Sequence, residues 1–170
     1  MSFKIYHLSD LNEDAQEFLK MPKRPYKEKD SYNWPNPGEK LQIELISESN
    51  KSLKFFLDIY ESRKSSSIVV GVINDRKPTF QSRVSDRQLL RVDLCSNPEI
   101  LRHRNPDGEL VVGNHIHLDV PEFGSKFAVP LAQQDVISGR DEDFISYFES
   151  LLDVYSISDS VLTFKYKLGV

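Results

Sequence analysis

The sequence predicts an α+β fold: a bent antiparallel sheet or partly open β-barrel with a short N-terminal helix and one C-terminal helix. Three observations carry that expectation. Apolar and polar residues alternate with period two along successive short stretches in the middle of the chain. The segments between those stretches are short and turn-like, which favours hairpins over parallel βαβ units. Helical periodicity shows only near the two ends. A chain of 170 residues suits one domain, residues 1–170, with a full hydrophobic core. It divides into a helical segment over 1–21, a proline-rich arm over 22–38, an antiparallel β core over 39–137, and a helix plus final strand over 138–170.

Each element has its local reason. Leu11, Ala15, Phe18 and Leu19 recur at helical spacing over residues 10–21, Asp10 and Glu13 can form a capping box, and Pro22 ends the helix. The arm that follows holds four of the nine prolines, including Trp34-Pro-Asn-Pro-Gly38, so it cannot be regular helix or central strand. Its Tyr26, Tyr32 and Trp34 either anchor it to the domain or bind a partner. Leu41, Ile43 and Leu45, then Leu53, Phe55, Leu57 and Ile59, alternate with polar residues and read as a hairpin. Ile68-Val-Val-Gly-Val-Ile73 is apolar on both faces and reads as a central strand, followed by strands near Phe80–Val84 and Leu90–Leu94. Phe144, Ile145, Phe148, Leu151, Leu152 and Tyr155 make the apolar stripe of the second helix, with Asp141, Glu142 and Asp143 favoured at its start by the helix dipole. Leu162, Phe164, Tyr166 and Leu168 alternate with Thr163, Lys165 and Lys167 as a closing strand whose lysines discourage edge pairing.

Composition narrows the function classes. A net charge of −4 gives no global attraction to nucleic acid or to an anionic membrane, although a local basic face remains compatible with it. The single cysteine, Cys95, rules out an intramolecular disulfide and a cysteine-based zinc site, which suits a reducing compartment. There is no long apolar run and no signal-peptide core, so the expected location is the cytoplasm, away from membranes.

The chemistry concentrates in Leu101–Val120, which holds His103, His115 and His117, three of the four histidines. Asn105-Pro-Asp-Gly108 has the residue preferences of a type I turn and is expected to join two antiparallel strands. On the second of these, period two places His115, His117 and Asp119 on one face and Ile116, Leu118 and Val120 on the other. His103 joins them if the register allows, and Gly113-Asn114 is a position where a bulge would shift it.

Three readings fit this window. As acid/base pairs, His115 and His117 with His103 suit phosphodiester cleavage, with the RNA 2′-hydroxyl as internal nucleophile. Arg91, Arg102 and Arg104 are then the cations for the phosphate, and Asp93 or Asp119 the orienting carboxylate. This reading needs no cofactor and places an electropositive pocket on an acidic protein. As ligands, His115, His117 and His103 suit a divalent metal, with Asp93 or Asp119 available to complete the shell. The His-x-His-x-Asp spacing resembles part of the metallo-β-lactamase metal motif, but Val120 stands where that motif has a histidine and none follows His117. As structure, a half-buried strand must turn some polar residues outward, and this stripe would serve.

The blocks Arg91-Val-Asp-Leu94, His103-Arg-Asn-Pro-Asp-Gly108, His115-Ile-His117 and Phe127-Ala-Val-Pro-Leu131 together resemble an uncharacterised family of small proteins encoded in bacterial genomes and prophages. The resemblance implies a mobile-element or phage-conflict context and carries no catalytic assignment. It points to a toxin-type ribonuclease or, as the alternative, a non-enzymatic interaction protein. The latter would be an antitoxin or anti-defence inhibitor, whose acidic surface and Trp34 arm meet a basic protein partner.

Overall fold

The alternating stretches become strands in a computed structural model, which describes residues 4–62, 76–140, 143–158 and 161–166. Strands β1 (Arg24–Pro25), β2 (Tyr32–Asn33), β3 (Lys40–Ile46) and β4 (Phe55–Glu61) follow helix α1 (Glu13–Lys20). Next come β5 (Pro78–Val84), β6 (Arg87–Asp93), β7 (Arg102–Arg104), β8 (Leu110–Val112), β9 (His115–Val120) and β10 (Gly124–Pro130). Helix α2 (Phe144–Val154) and strand β11 (Phe164–Lys165) complete the chain. Among the described residues, one seven-stranded sheet runs in the order β1-β3-β4-β5-β6-β9-β10, antiparallel throughout and not closed into a barrel. The fold is therefore α+β, and the open-sheet form of the expectation holds. The expected central strand over Ile68–Ile73 lies outside the described residues.

The two faces of the sheet follow from alternation and register. Leu57 and Ile59 on β4, Phe80 on β5, Leu90 and Val92 on β6, and Ile116 and Leu118 on β9 are fully buried on one face. Each such side chain is worth about 1.5–3 kcal/mol in removal from water. Helix α2 lays its stripe on this face. The Phe148 ring meets Phe80 edge-on at 5.3 Å and Trp34 at 5.0 Å, and the Tyr155 hydroxyl reaches the Phe56 and Arg83 carbonyls at 3.0 and 2.8 Å. Lys23 ties the helix ends together: its buried ammonium donates to the carbonyls of Leu19, Met21 and Tyr155, at the C-terminal ends of α1 and α2 where the helix dipole favours a cation. On the opposite face, pairing aligns two lateral rows: Asp58, Gln81, Arg91 and His117 in one, Tyr60, Thr79, Asp93 and His115 in the other.

Several local expectations change. Helix α1 begins at Glu13 after Asn12, because Asp10 is used one turn earlier, accepting a hydrogen bond from the His7 amide across a single 3-10 turn. The Asn105–Gly108 turn is present, closed by the Gly108 amide on the Asn105 carbonyl at 2.8 Å. It joins β7 to β8, a separate two-stranded hairpin, and not to the strand carrying His115. Gly113-Asn114 is thus the corner between the two sheets, not a bulge in one strand. Gly113 has φ +99°, and Asn114 fixes the corner by accepting the Cys95 amide on its side-chain oxygen at 2.9 Å. The closing strand β11 pairs in parallel with β2, away from the main sheet. Among the described residues, no helix is long and apolar enough to cross a membrane.

The aromatic arm is an anchor. Tyr32 and Trp34 are buried, and the Trp34 indole N–H donates to the buried Glu61 carboxylate at 2.9 Å, so Trp34 cannot serve as an exposed partner-binding residue. Only Tyr26 of the three stands exposed. Glu61 also receives Arg76 at 3.3 Å. Trp34→Phe keeps most of the packing and removes the donor from a buried acceptor. We expect it to lower unfolding stability by about 2 kcal/mol, read as a shift in denaturant midpoint at unchanged slope.

Candidate functional site

The three histidines of the Leu101–Val120 window converge. His115 and His117 lie on β9 and His103 on β7, which folds over the sheet; the ring centroids are 5.1 Å apart for His115 and His117, 4.6 Å for His103 and His117, and 5.8 Å for His103 and His115. Strand β9 is buried along its whole length, so the stripe of His115, His117 and Asp119 does not face water as the outer side of a half-covered sheet would. The β7–β8 hairpin covers it. Asn105 pins that hairpin to the outer edge of β10: its side-chain amide donates to the Ala128 carbonyl at 2.7 Å and its oxygen accepts the Ala128 amide at 2.8 Å, replacing the pairing a further strand would supply. His103 adds a second tie, its Nε2 donating to the Lys126 carbonyl at 2.9 Å. A carbonyl can only accept, so His103 carries its proton on Nε2 and, when neutral, a lone pair on Nδ1.

Asp93 is the hub. Register sets it opposite both Thr79 and His115, and it is 6% exposed. Its Oδ1 accepts from the Thr79 hydroxyl at 2.7 Å and from Arg91 Nε and Nη2 at 3.2 and 3.1 Å, with Nε also 3.1 Å from Oδ2. Its Oδ2 faces two imidazole nitrogens, His117 Nε2 at 3.1 Å and His115 Nε2 at 3.3 Å. Burial alone pushes the Asp93 carboxyl up. The polar contacts with His115 and His117, the Arg91 charge and the Thr79 hydroxyl outweigh it and hold the group below the usual carboxylate range. Burial pushes His117 below the usual imidazole range, against the pull of Asp93 and with the help of the neighbouring histidines.

Asp119 takes other partners. It accepts from Asn12 at 3.0 Å and from Arg87 at 2.6 and 2.8 Å, and Arg87 continues to Asp14 on α1, so this carboxylate ties the helix to the sheet instead of orienting an imidazole. Arg87 holds Asp14 below its ordinary range by hydrogen bonding. Of the phosphate candidates, Arg91 is committed to Asp93, Arg102 is exposed, and Arg104 is exposed while donating to the Gly108 carbonyl at 2.7 Å.

These groups share one cleft of about 960 Å³. Among the described residues, Lys77, Arg87, Arg91, Arg102, Arg104 and Lys126 line it with two carboxylates, Asp86 and Asp93, on a protein whose net charge is −4. Among the described residues, Lys77, Arg102, Arg104 and Lys126 make no ion pair and are exposed, so their charge is directed at solvent or ligand. The cleft therefore suits an anion. Sequence reasoning did not single out Thr79, Asn105, Lys77 or Lys126 as contributors. Alternation already places Thr79 on the polar face of its strand, but its match to Asp93 depends on a register that no local pattern encodes. Asn105 was legible only as a turn residue.

The model of a family of unknown function, DUF6978, matches residues 11–157, which span α1 to the end of α2. No curated protein and no solved structure matches the chain.

Asn105→Ala should free the hairpin from the edge strand. Loss of two buried backbone partners is expected to cost about 2–3 kcal/mol. Hydrogen exchange at the Ala128 amide should accelerate, and the His103 ring resonances should shift while those of Trp34 stay in place.

Proposed function

Since the chain belongs to this family of unknown function, its activity must be read from the site, and we propose that the cleft binds and cleaves phosphodiester bonds of RNA. The observation that carries this is the convergence of three imidazoles on the floor of a cleft that, among the described residues, holds six cationic side chains and two carboxylates. Cations recognise the phosphate and stabilise the charge of a pentacovalent phosphorane, and imidazoles move protons near neutral pH.

The roles follow from exposure and tautomer. Arg102, Arg104, Lys77 and Lys126 hold the phosphate and its neighbours, and Arg91, anchored on Asp93, adds a fixed charge at the floor. His103 is half-buried, and its Nδ1 lone pair is left free by the Lys126 contact, so it is the base that takes the 2′-hydroxyl proton. The 2′-oxygen then bonds to phosphorus, the bond from phosphorus to the 5′-oxygen breaks, and the products are a 2′,3′-cyclic phosphate and a 5′-hydroxyl. The departing 5′-oxygen leaves beside the Asp93–His115–His117 centre and takes its proton from water in the cleft.

The test uses a single-stranded RNA and the same strand with one 2′-deoxy position. Wild-type protein should yield cyclic-phosphate ends and spare the deoxy position. His103→Ala should slow cleavage by about 10²–10⁴-fold without changing the melting temperature by more than a few degrees. Intact RNA after exposure to wild-type protein, or full activity in His103→Ala, removes the proposal.

A further inference from the structure

The Asp93 centre contains a proton assignment that ordinary hydrogen bonding does not complete. His115 Nδ1 lies 2.8 Å from the Gly113 carbonyl, which can only accept, so Nδ1 carries the proton. In the neutral ring Nε2 then presents a lone pair, and it points at Asp93 Oδ2 3.3 Å away, another electron-rich atom. His117 Nε2 approaches the same oxygen at 3.1 Å. Three donor atoms thus face one another across a small space, all within 4.8 Å.

We infer that Asp93 Oδ2, His115 Nε2 and His117 Nε2 form a site for a divalent first-row transition-metal ion of the zinc type. The separations fit. Ligands 2.0–2.1 Å from a common ion stand about 3.3 Å apart in a tetrahedron, and the two Oδ2-to-nitrogen distances are 3.1 and 3.3 Å. The surroundings fit as well. A ligating histidine characteristically donates its other ring N–H to a carbonyl, as His115 does to Gly113, and a ligating carboxylate has its second oxygen held by neighbouring donors, as Thr79 and Arg91 hold Oδ1. Two imidazoles and one carboxylate without thiolate select zinc, iron, cobalt or nickel over calcium or magnesium. His103 stays outside the shell, on the Lys126 carbonyl, and remains the imidazole open to substrate.

The ligand geometry stands by itself; only the ion's role, as the charge that meets the departing oxygen, rests on the proposed RNA cleavage. Full-length protein is stripped with a chelator, then titrated with Zn²⁺ against a chromophoric chelator and with Co²⁺ followed by its visible absorption. The expected result is one ion per chain and a rise in melting temperature on loading. Asp93→Asn and His117→Ala should weaken binding by about 100-fold or more, and Thr79→Val, which keeps all three ligands, by about tenfold. His103→Ala should bind as the wild type does. Folded wild-type protein that takes up neither ion overturns the inference, as does wild-type affinity in His117→Ala or, should that variant not fold, in Thr79→Val. The two proposals separate cleanly. Stoichiometric zinc without RNA cleavage removes only the RNA reading, and RNA cleavage by folded wild-type protein that takes up neither ion removes only the metal centre.

Discussion

The pairing of β6 with β9 sets Asp93 against His115 and Arg91 against His117, and the arrangement of the site follows from that register. A slip of one residue would turn Asp93 and Arg91 into the core face and drive Val92 and Leu94 onto the polar one. The register is therefore fixed by the core, through Val92 against Ile116 and Leu90 against Leu118, all fully buried. The apolar face does the positioning for the polar face. This is why a site made of short polar side chains can be held without a disulfide or a large rigid loop around it.

The energetic tension of the site lies in burying a carboxylate and two imidazoles on one sheet face. Water is replaced there by directed partners: a hydroxyl, a guanidinium and the His117 ring around Asp93, and a carbonyl behind His115. An unpaired group at such a depth would cost several kcal/mol, about as much as the stability of many domains has to spare. The acidic character of the chain is also resolved locally. Carboxylates such as Asp58, Glu61 and Asp119 are consumed by Arg83, Arg76 and Arg87, while Lys77, Arg102, Arg104 and Lys126 of the cleft have no such partner among the described residues.

Much of this was legible before the coordinates. Period two places His115 and His117 together on one strand face and helical spacing marks both helices, because these follow from spacing along one element. The convergence of His103 was conditional in sequence terms, and its route differs from the one expected: the Asn105–Gly108 turn builds a small hairpin that folds back, and Gly113 turns the chain into β9 afterwards. Asp119 shares the histidine face by period but is drawn to Arg87, since the charge of a side chain on another strand decides its partner. Trp34 read as either anchor or binding residue. Its buried partner Glu61 lies 27 positions away, and no local pattern links the two.

The hairpin has one more consequence, for association between chains. Strand β10 ends the sheet, and its outer row of amides and carbonyls is the template on which a second molecule could add a strand. Asn105 occupies the amide and the carbonyl of Ala128, and His103 occupies the carbonyl of Lys126. The same side chains that complete the cleft thus guard the sheet against intermolecular growth. A molecule in which the hairpin has lifted has both lost its third imidazole and opened an edge for aggregation.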